Sequence, residues 1–144
     1  MWPFSTKKTA RVGVVVGDEV FEFPIVGEAA YQSDLERICG GKSERGAHIK
    51  HAALLIPEPG NRYDKNAVSV SILGHKVGYL SRDVAPEFLR ALRADGYDQA
   101  AAEAIIRGGW KDRKSEGHFG VFLNAKLPFS FVSADNYFAQ KSHA

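Results

Sequence analysis

Asn61-Arg62-Tyr63-Asp64, set between the turn signals Pro59-Gly60 and Asn66, is the part of this 144-residue chain whose side chains are best suited to chemistry. An ionised carboxylate only accepts hydrogen bonds. Aimed into a pocket, Asp64 would therefore select a hydroxyl over a phosphate, which adds repulsion and removes the donor. The flat face of Tyr63 could stack on a nucleic-acid base, a contact worth about 1–3 kcal/mol, and Phe119 could do the same. A turn flanked by polar residues seldom faces inward, which favours Tyr63. Phe119 could equally fill the core, as aromatics in β-proteins usually do. Asp64 and Asn66 could also cap the backbone amides of a tight turn, and capping and binding can coexist.

Cations occur in clusters: Lys42, Arg45 and Lys50; Arg62 and Lys65; Arg82; and Lys111, Arg113 and Lys114. On one face they could line a groove that follows a phosphate backbone, or they could be solvated surface. Trp110 beside Lys111 and Arg113 reads as a stacking edge or as a barrel corner with a buried indole.

Other chemistries fit less well. Asp64-x-Asn66 starts like a calcium loop but lacks its later Gly and Glu. His48 and His51 have no third ligand nearby, so no metal or cofactor is expected. The single cysteine, Cys39, excludes an internal disulfide and fits a reducing compartment. It falls on the apolar face of a helix, as an inert thiol would. No G-x-x-x-x-G-K-[ST] loop occurs, and no paired carboxylates stand out. The expectation is a non-enzymatic module.

A hydrophobic fraction of 44% and a charged fraction of 25% place the chain among ordinary globular proteins. The formal net charge of +2 permits nucleic-acid binding without requiring it. No apolar run reaches the roughly 18 residues of a membrane span. Met1–Lys8 and the short run Val12–Val16 do not read as a signal peptide. A cytoplasmic location and no membrane partner are expected; the oligomeric state is open.

The elements that must position these residues are mostly short. Val12–Val16 and Glu19–Val26 read as strands around a Gly17-Asp18 hairpin turn. Ala30–Cys39 reads as a helix with Tyr31, Leu35, Ile38 and Cys39 on one face, stopped by Gly40-Gly41. Lys42–Lys50 reads as a basic loop. Strands follow at His51–Ile56, Ala67–Leu73 and Lys76–Leu80. Ser81 or Asp83 is expected to cap a helix to Ala94, with Pro86 in its first turn. Ala100–Arg107 reads as a strand, Trp110–Gly117 as a charged loop and Phe119–Leu127 as a last strand. Beyond Phe131 a polar, fraying tail is expected. The sum is a mainly β fold: a small, OB-like β-barrel with two or so short helices.

The order Ile25-Val26-Gly27-Glu28, Tyr31-Gln32, Leu55-Ile56-Pro57, Asn61-Arg62-Tyr63-Asp64-Lys65-Asn66-Ala67-Val68 and Val77-Gly78-Tyr79-Leu80-Ser81-Arg82 resembles a HIRAN domain. Ile106-Arg107-Gly108-Gly109-Trp110 and Gly117-His118-Phe119-Gly120-Val121 continue the resemblance to free-standing bacterial members. It covers residues 19–127, leaving 1–18 as an N-terminal segment with the first strand and 128–144 as a tail. The resemblance implies an OB-like barrel that binds DNA. In a eukaryotic member, joined to an ATPase motor, the domain grips the 3′-hydroxyl end of a single strand. Carried over, Asn61, Arg62, Tyr63 and Asp64 form the turn that receives the terminal nucleotide, with Lys65 just after it. Tyr63 matches the aromatic at the end base, and Asp64 the acceptor for the 3′-hydroxyl. Arg82 matches a cation near a phosphate, and Phe119 a base-stacking aromatic. Tyr79 stands where the eukaryotic protein has a His. Ala29-Ala30 replaces an Arg-Tyr pair that touches DNA there. The expected function is binding of single-stranded DNA or 3′ DNA ends in repair, replication or defence, with a helicase or nuclease as a possible protein partner. The alternatives are a protein-interaction module on the same barrel, or a hydrolase of nucleic acid, which would need a metal or an acid–base pair.

Overall fold

The computed structural model describes residues 9–142; the Met1–Lys8 segment on which the signal-peptide reading rested lies outside them. Among the described residues the fold is mainly β. Eight strands form one curled sheet: β1 Val12–Val15, β2 Phe23–Pro24, β3 Ala47–Pro57, β4 Val68–Ile72, β5 His75–Tyr79, β6 Gln99–Gly108, β7 Phe119–Leu123 and β8 Phe131–Ser133. Three α-helices, α1 Gln32–Cys39, α2 Ala85–Ala94 and α3 Ala134–Ser142, and a 3-10 turn at Glu28–Tyr31 complete it.

The strand order is β2-β7-β6-β3-β4-β5, with β1 between β6 and β8. The two ends of that order then meet. Val26, just after β2, and Tyr79, at the end of β5, exchange both backbone hydrogen bonds at 2.8 Å. This closes the sheet into a barrel and removes an open edge. The closure needs Gly78, because a Cβ there would stand 2.6 Å from the Val26 carbonyl oxygen. On the neighbouring edge Gln32 stands in for a strand. Its amide accepts from the Phe119 N–H at 2.8 Å and donates to the Phe119 carbonyl at 2.9 Å.

The core follows the period-2 pattern that made these segments readable as strands. Ala100, Ala102, Ala104 and Ile106 of β6 face Phe119, Val121 and Leu123 of β7 and Leu55, Val68, Val70 and Val77 across the interior. The helix α2 adds Ala85, Phe88, Leu89 and Leu92 to this core. The Phe88 ring meets Phe129 edge-on at 5.3 Å and Phe131 at 5.7 Å, pairings worth about 0.5–1.5 kcal/mol beyond burial.

Several local expectations are corrected. Gly17-Asp18 does not join a hairpin. β1 pairs in parallel with β6 and antiparallel with β8, and β2 shrinks to two residues because Glu19 and Phe21 adopt positive φ. Gly17 packs instead against Asn124, whose side-chain carbonyl accepts from the Glu19 N–H. The basic loop is shorter than expected, since β3 begins at Ala47. Neither Ser81 nor Asp83 caps α2 with its side chain; the Ser81 carbonyl accepts from the Val84 and Ala85 N–H groups. Beyond Phe131 the chain forms β8 and then α3, where the Ser133 hydroxyl accepts from the Asn136 N–H at 3.1 Å.

Candidate nucleic-acid interface

The loop between β3 and β4 is a self-bonded unit, and Asn61 is its organiser. Its side-chain oxygen accepts from the Tyr63 and Asp64 N–H groups at 2.9 and 3.0 Å. Its Nδ2 donates to Glu58 Oε1 at 3.0 Å. Asp64 completes the turn, with Oδ1 accepting from the Asn66 N–H at 2.9 Å. Asx bonding of this kind fixes the loop's shape without outside partners.

Glu58 ties the loop to β5. It accepts from Lys76 Nζ at 2.6 Å and from the Tyr79 hydroxyl at 2.9 Å, while Lys76 also donates to that hydroxyl at 2.9 Å. Burial alone would raise the Glu58 pKa, but the hydrogen bonds from Lys76, Asn61 and Tyr79 outweigh it and hold the carboxyl below its usual range. The Lys76 ammonium is raised, chiefly by its hydrogen bond to Glu58. Burial raises the Tyr79 phenol. With the hydroxyl engaged, Tyr79 offers its ring to the site.

Between this loop, the 3-10 turn and the end of β5 lies a cavity of about 390 Å³, lined by Val26, Tyr31, Asn61, Tyr63, Asp64, Ala67, Tyr79, Leu80 and Arg82. Five of the sequence-predicted residues therefore meet at one place: Asn61, Tyr63, Asp64, Tyr79 and Arg82. Tyr63 is 80% exposed, its ring free on the surface apart from Arg62, whose guanidinium carbon lies 5.6 Å from the ring centroid. The second oxygen of Asp64 faces Arg82, with Oδ2 3.9 Å from Nε. An apolar wall, a flat aromatic, an acceptor and a cation make a site for a small group that donates a hydrogen bond and carries negative charge nearby.

The other three predicted residues are not part of the cavity wall. Arg62 lies against the Tyr63 ring, and Lys65 is exposed on the loop. Phe119 is corrected outright as a surface-stacking ring. It is 2% exposed, faces the barrel interior with Val121 and Leu123, and packs over Gly109, which has no room for a side chain. The period-2 run Phe119, Val121, Leu123 carried that signal in the sequence. Residues missed by sequence reasoning are Glu58 and Lys76, which hold the loop, and Val26, Ala67 and Leu80, which line the wall. Glu58 and Lys76 are eighteen positions apart in the chain and meet only through the β3–β4–β5 pairing.

No group of three or more metal-ligating side chains occurs among the described residues, and no helix there is long and apolar enough to cross a membrane. Burial pushes the Cys39 thiol up, away from the reactive thiolate.

The HIRAN domain family model matches residues 19–115, more than half of the chain. This chain belongs to the HIRAN domain family. HIRAN domains are known as nucleic-acid-binding modules and are not catalytic by themselves. No curated protein and no solved structure matches the chain. The matched span holds the whole of the cavity lining, from Val26 to Arg82.

Proposed function

We propose that this HIRAN domain binds the 3′ end of single-stranded DNA, without catalysis, in repair, replication or defence, on its own or beside a helicase or nuclease in the cytoplasm. One observation carries the reading: Tyr63, Asp64 and Arg82 converge on a single cavity, with one Asp64 oxygen spent on the turn and the other facing Arg82. In this reading Tyr63 stacks on the terminal base, Asp64 accepts from the 3′-hydroxyl, and Arg82 neutralises the adjacent phosphate. Asn61 and Glu58 hold the geometry. Fluorescence anisotropy at low salt, with oligonucleotides ending in a 3′-hydroxyl, in a 3′-phosphate, or with only the 5′ end accessible, tests it. Preference for the 3′-hydroxyl is the expected result. Equal binding to all three, insensitive to Asp64→Ala, would leave nucleic-acid binding but remove end recognition. No binding at all would remove both.

A second reading, docking of a protein segment on the same barrel, is favoured by the apolar rim. Val26 is 43% exposed there, beside exposed Ala29 and Ala30. A protein ligand that competes with no oligonucleotide and is lost on Val26→Asp would support it.

A further inference from the structure

The cations of this chain are not equally available. Lys76 is held by Glu58, Lys50 and Lys141 lie within ion-pair distance of Glu103, and Lys42 and Lys111 share Glu116 at 3.0 and 4.0 Å. Arg45, Arg113 and Lys114 are exposed and have no acidic partner among the described residues. All three come from two segments far apart in sequence that the fold fastens together. The Ser43 N–H donates to the Gly109 carbonyl at 3.3 Å, and the Lys111 N–H donates to the Ser43 carbonyl at 2.8 Å. Ser43 and Trp110 pair as a bridge.

The second segment is a small hairpin with a fixed tip. Lys111 and Glu116 bridge its base, and the Gly117 N–H donates to the Trp110 carbonyl at 2.9 Å. At the tip, Asp112 Oδ1 accepts from the Lys114 and Ser115 N–H groups at 2.8 and 2.9 Å. These bonds hold the Asp112 carboxyl low, so the acid is engaged by its own turn. The Trp110 indole lies across Gly117, where no Cβ fits. Residues 42–46 and 110–116 together hold five cations against three acids. Asp112 stays ionised beside Arg113 and Glu44 is exposed beside Arg45, so the two segments carry a net excess of two cations, with Glu116 shared by two lysines.

This basic end stands at a definite place relative to the cavity. Tyr31 lines the cavity, and α1 runs from Gln32 to Cys39 directly into Gly40-Gly41-Lys42. At about 1.5 Å per residue the helix spans roughly 12 Å. Lys42 therefore stands roughly a helix length from Tyr31, while the hairpin base at Gly117 lies two residues before Phe119, which Gln32 bonds at the start of α1. Groups of exposed cations on an ordered scaffold recognise phosphate backbone without regard to sequence.

We propose that Arg45, Arg113 and Lys114 form a second, sequence-independent contact for the phosphate backbone of a single strand whose end occupies the cavity. The contact rests on the end-binding reading for its direction but is separable from it by experiment. The cavity takes the terminal nucleotide, and Arg45 with the hairpin tip takes phosphates several nucleotides inward.

Anisotropy titrations of the full chain compare 3′-hydroxyl oligonucleotides of about 4 and about 12 nucleotides, a range that spans the site sizes of OB-type folds. The wild type is expected to bind the 12-mer at least tenfold more tightly than the 4-mer. The triple variant Arg45→Ala, Arg113→Ala, Lys114→Ala should bind the 4-mer like the wild type and lose the gain from length. Its salt slope on the 12-mer should fall by about 2, the loss expected for three phosphate contacts at roughly 0.7 each. The variant Arg45→Lys, Arg113→Lys, Lys114→Arg should keep slope and gain. A triple-alanine variant that retains both would overturn the proposal, as would a wild type that binds both lengths equally. In the latter case end recognition by the cavity still stands. Conversely, a length gain carried by the three cations but unaffected by Asp64→Asn and Tyr63→Ala would keep the contact and remove the end-binding reading. No binding of either length removes both.

Discussion

Replacing Asp64 by Asn separates the two tasks of this residue, and the geometry sets how large each effect should be. Asn keeps an oxygen that can accept from the Asn66 N–H, now 2.9 Å from Oδ1, so the turn survives. What disappears is the charge. The ion pair with Arg82 is long, 3.9 Å, and the Arg82 side chain is 77% exposed, so its loss destabilises the fold by at most about 1 kcal/mol. A bound 3′-hydroxyl would lose a hydrogen bond to a charged acceptor, about 1.5–3 kcal/mol, which is roughly 10- to 150-fold in Kd. A 3′-phosphate would gain instead. One unit of like charge at about 5 Å, with an effective dielectric near 20, repels by about 3 kcal/mol, and that repulsion vanishes. The wild type should therefore prefer the 3′-hydroxyl end by about 100-fold or more, and Asp64→Asn should bring the ratio close to one. Competition anisotropy with two otherwise identical oligonucleotides measures it, with thermal melting as the control for folding. An Asn variant that melts normally and keeps the wild-type preference would refute the assignment of Asp64 as the hydroxyl acceptor.

Tyr63→Ala should weaken single-strand binding by about 1–3 kcal/mol and leave the melting midpoint unchanged, because the side chain is 80% exposed; a variant of full affinity would remove Tyr63 from the site. Phe119→Leu should do the reverse, lowering stability by roughly 1 kcal/mol as a core substitution while affinity stays within twofold. A tenfold affinity loss at unchanged stability would mean that the ring reaches the ligand. Glu58→Gln removes the charged acceptor of Lys76 and should lower stability by about 1–2 kcal/mol, or roughly 4 °C in melting midpoint per kcal/mol. The pH dependence has a definite sign. Glu58 is held below its ordinary value of 4.5 in the folded state, so its contribution is present above that pH and is lost as acid titrates it in the fold. Lys76 is held above its ordinary 10.5, so its contribution is present below that pH and lost in strong base. Melting curves between about pH 3 and pH 7 should show an acid limb that is shallower in Glu58→Gln than in the wild type.

What was readable in the sequence was what local periodicity controls. Alternating alanines made residues 100–107 a strand despite their helix propensity, and the structure has β6 there. The Pro86 start announced the helix that ends at Ala94, and the structure has α2 there. Pairing between distant segments was not readable. Gly17-Asp18 looks like a hairpin turn because the dipeptide is judged alone, yet β1 finds its partners at Gln99–Ala101 and Phe131–Ser133. Ser133 as a helix cap was visible in retrospect, but the polar residues after it hid α3. At the site, the loop residues were legible because Asx turns are local. The Glu58–Lys76–Tyr79 brace was not, because it depends on strand register.

The two readings of Asp64 that the sequence left open turn out to be compatible, because a carboxylate has two oxygens and the structure uses them differently. Oδ1 closes the turn with Asn66, and Oδ2 is left facing Arg82 at the cavity. Capping fixes where the second oxygen stands, so that the proposed ligand would meet an acceptor already oriented. The same logic bears on Ala29-Ala30, where an Arg-Tyr pair would be expected from the family resemblance. The chain supplies no side chain of that kind at those positions, yet Tyr31, one residue on, lines the cavity, and Arg82 brings a cation from the far side. The 3-10 turn beginning after Gly27, which has a positive φ, determines which of residues 29–31 points inward. An aromatic wall can thus be kept by shifting it one position along the turn. If a strand end occupies the cavity as proposed, the exposed cations Arg45, Arg113 and Lys114 are available to the backbone behind it.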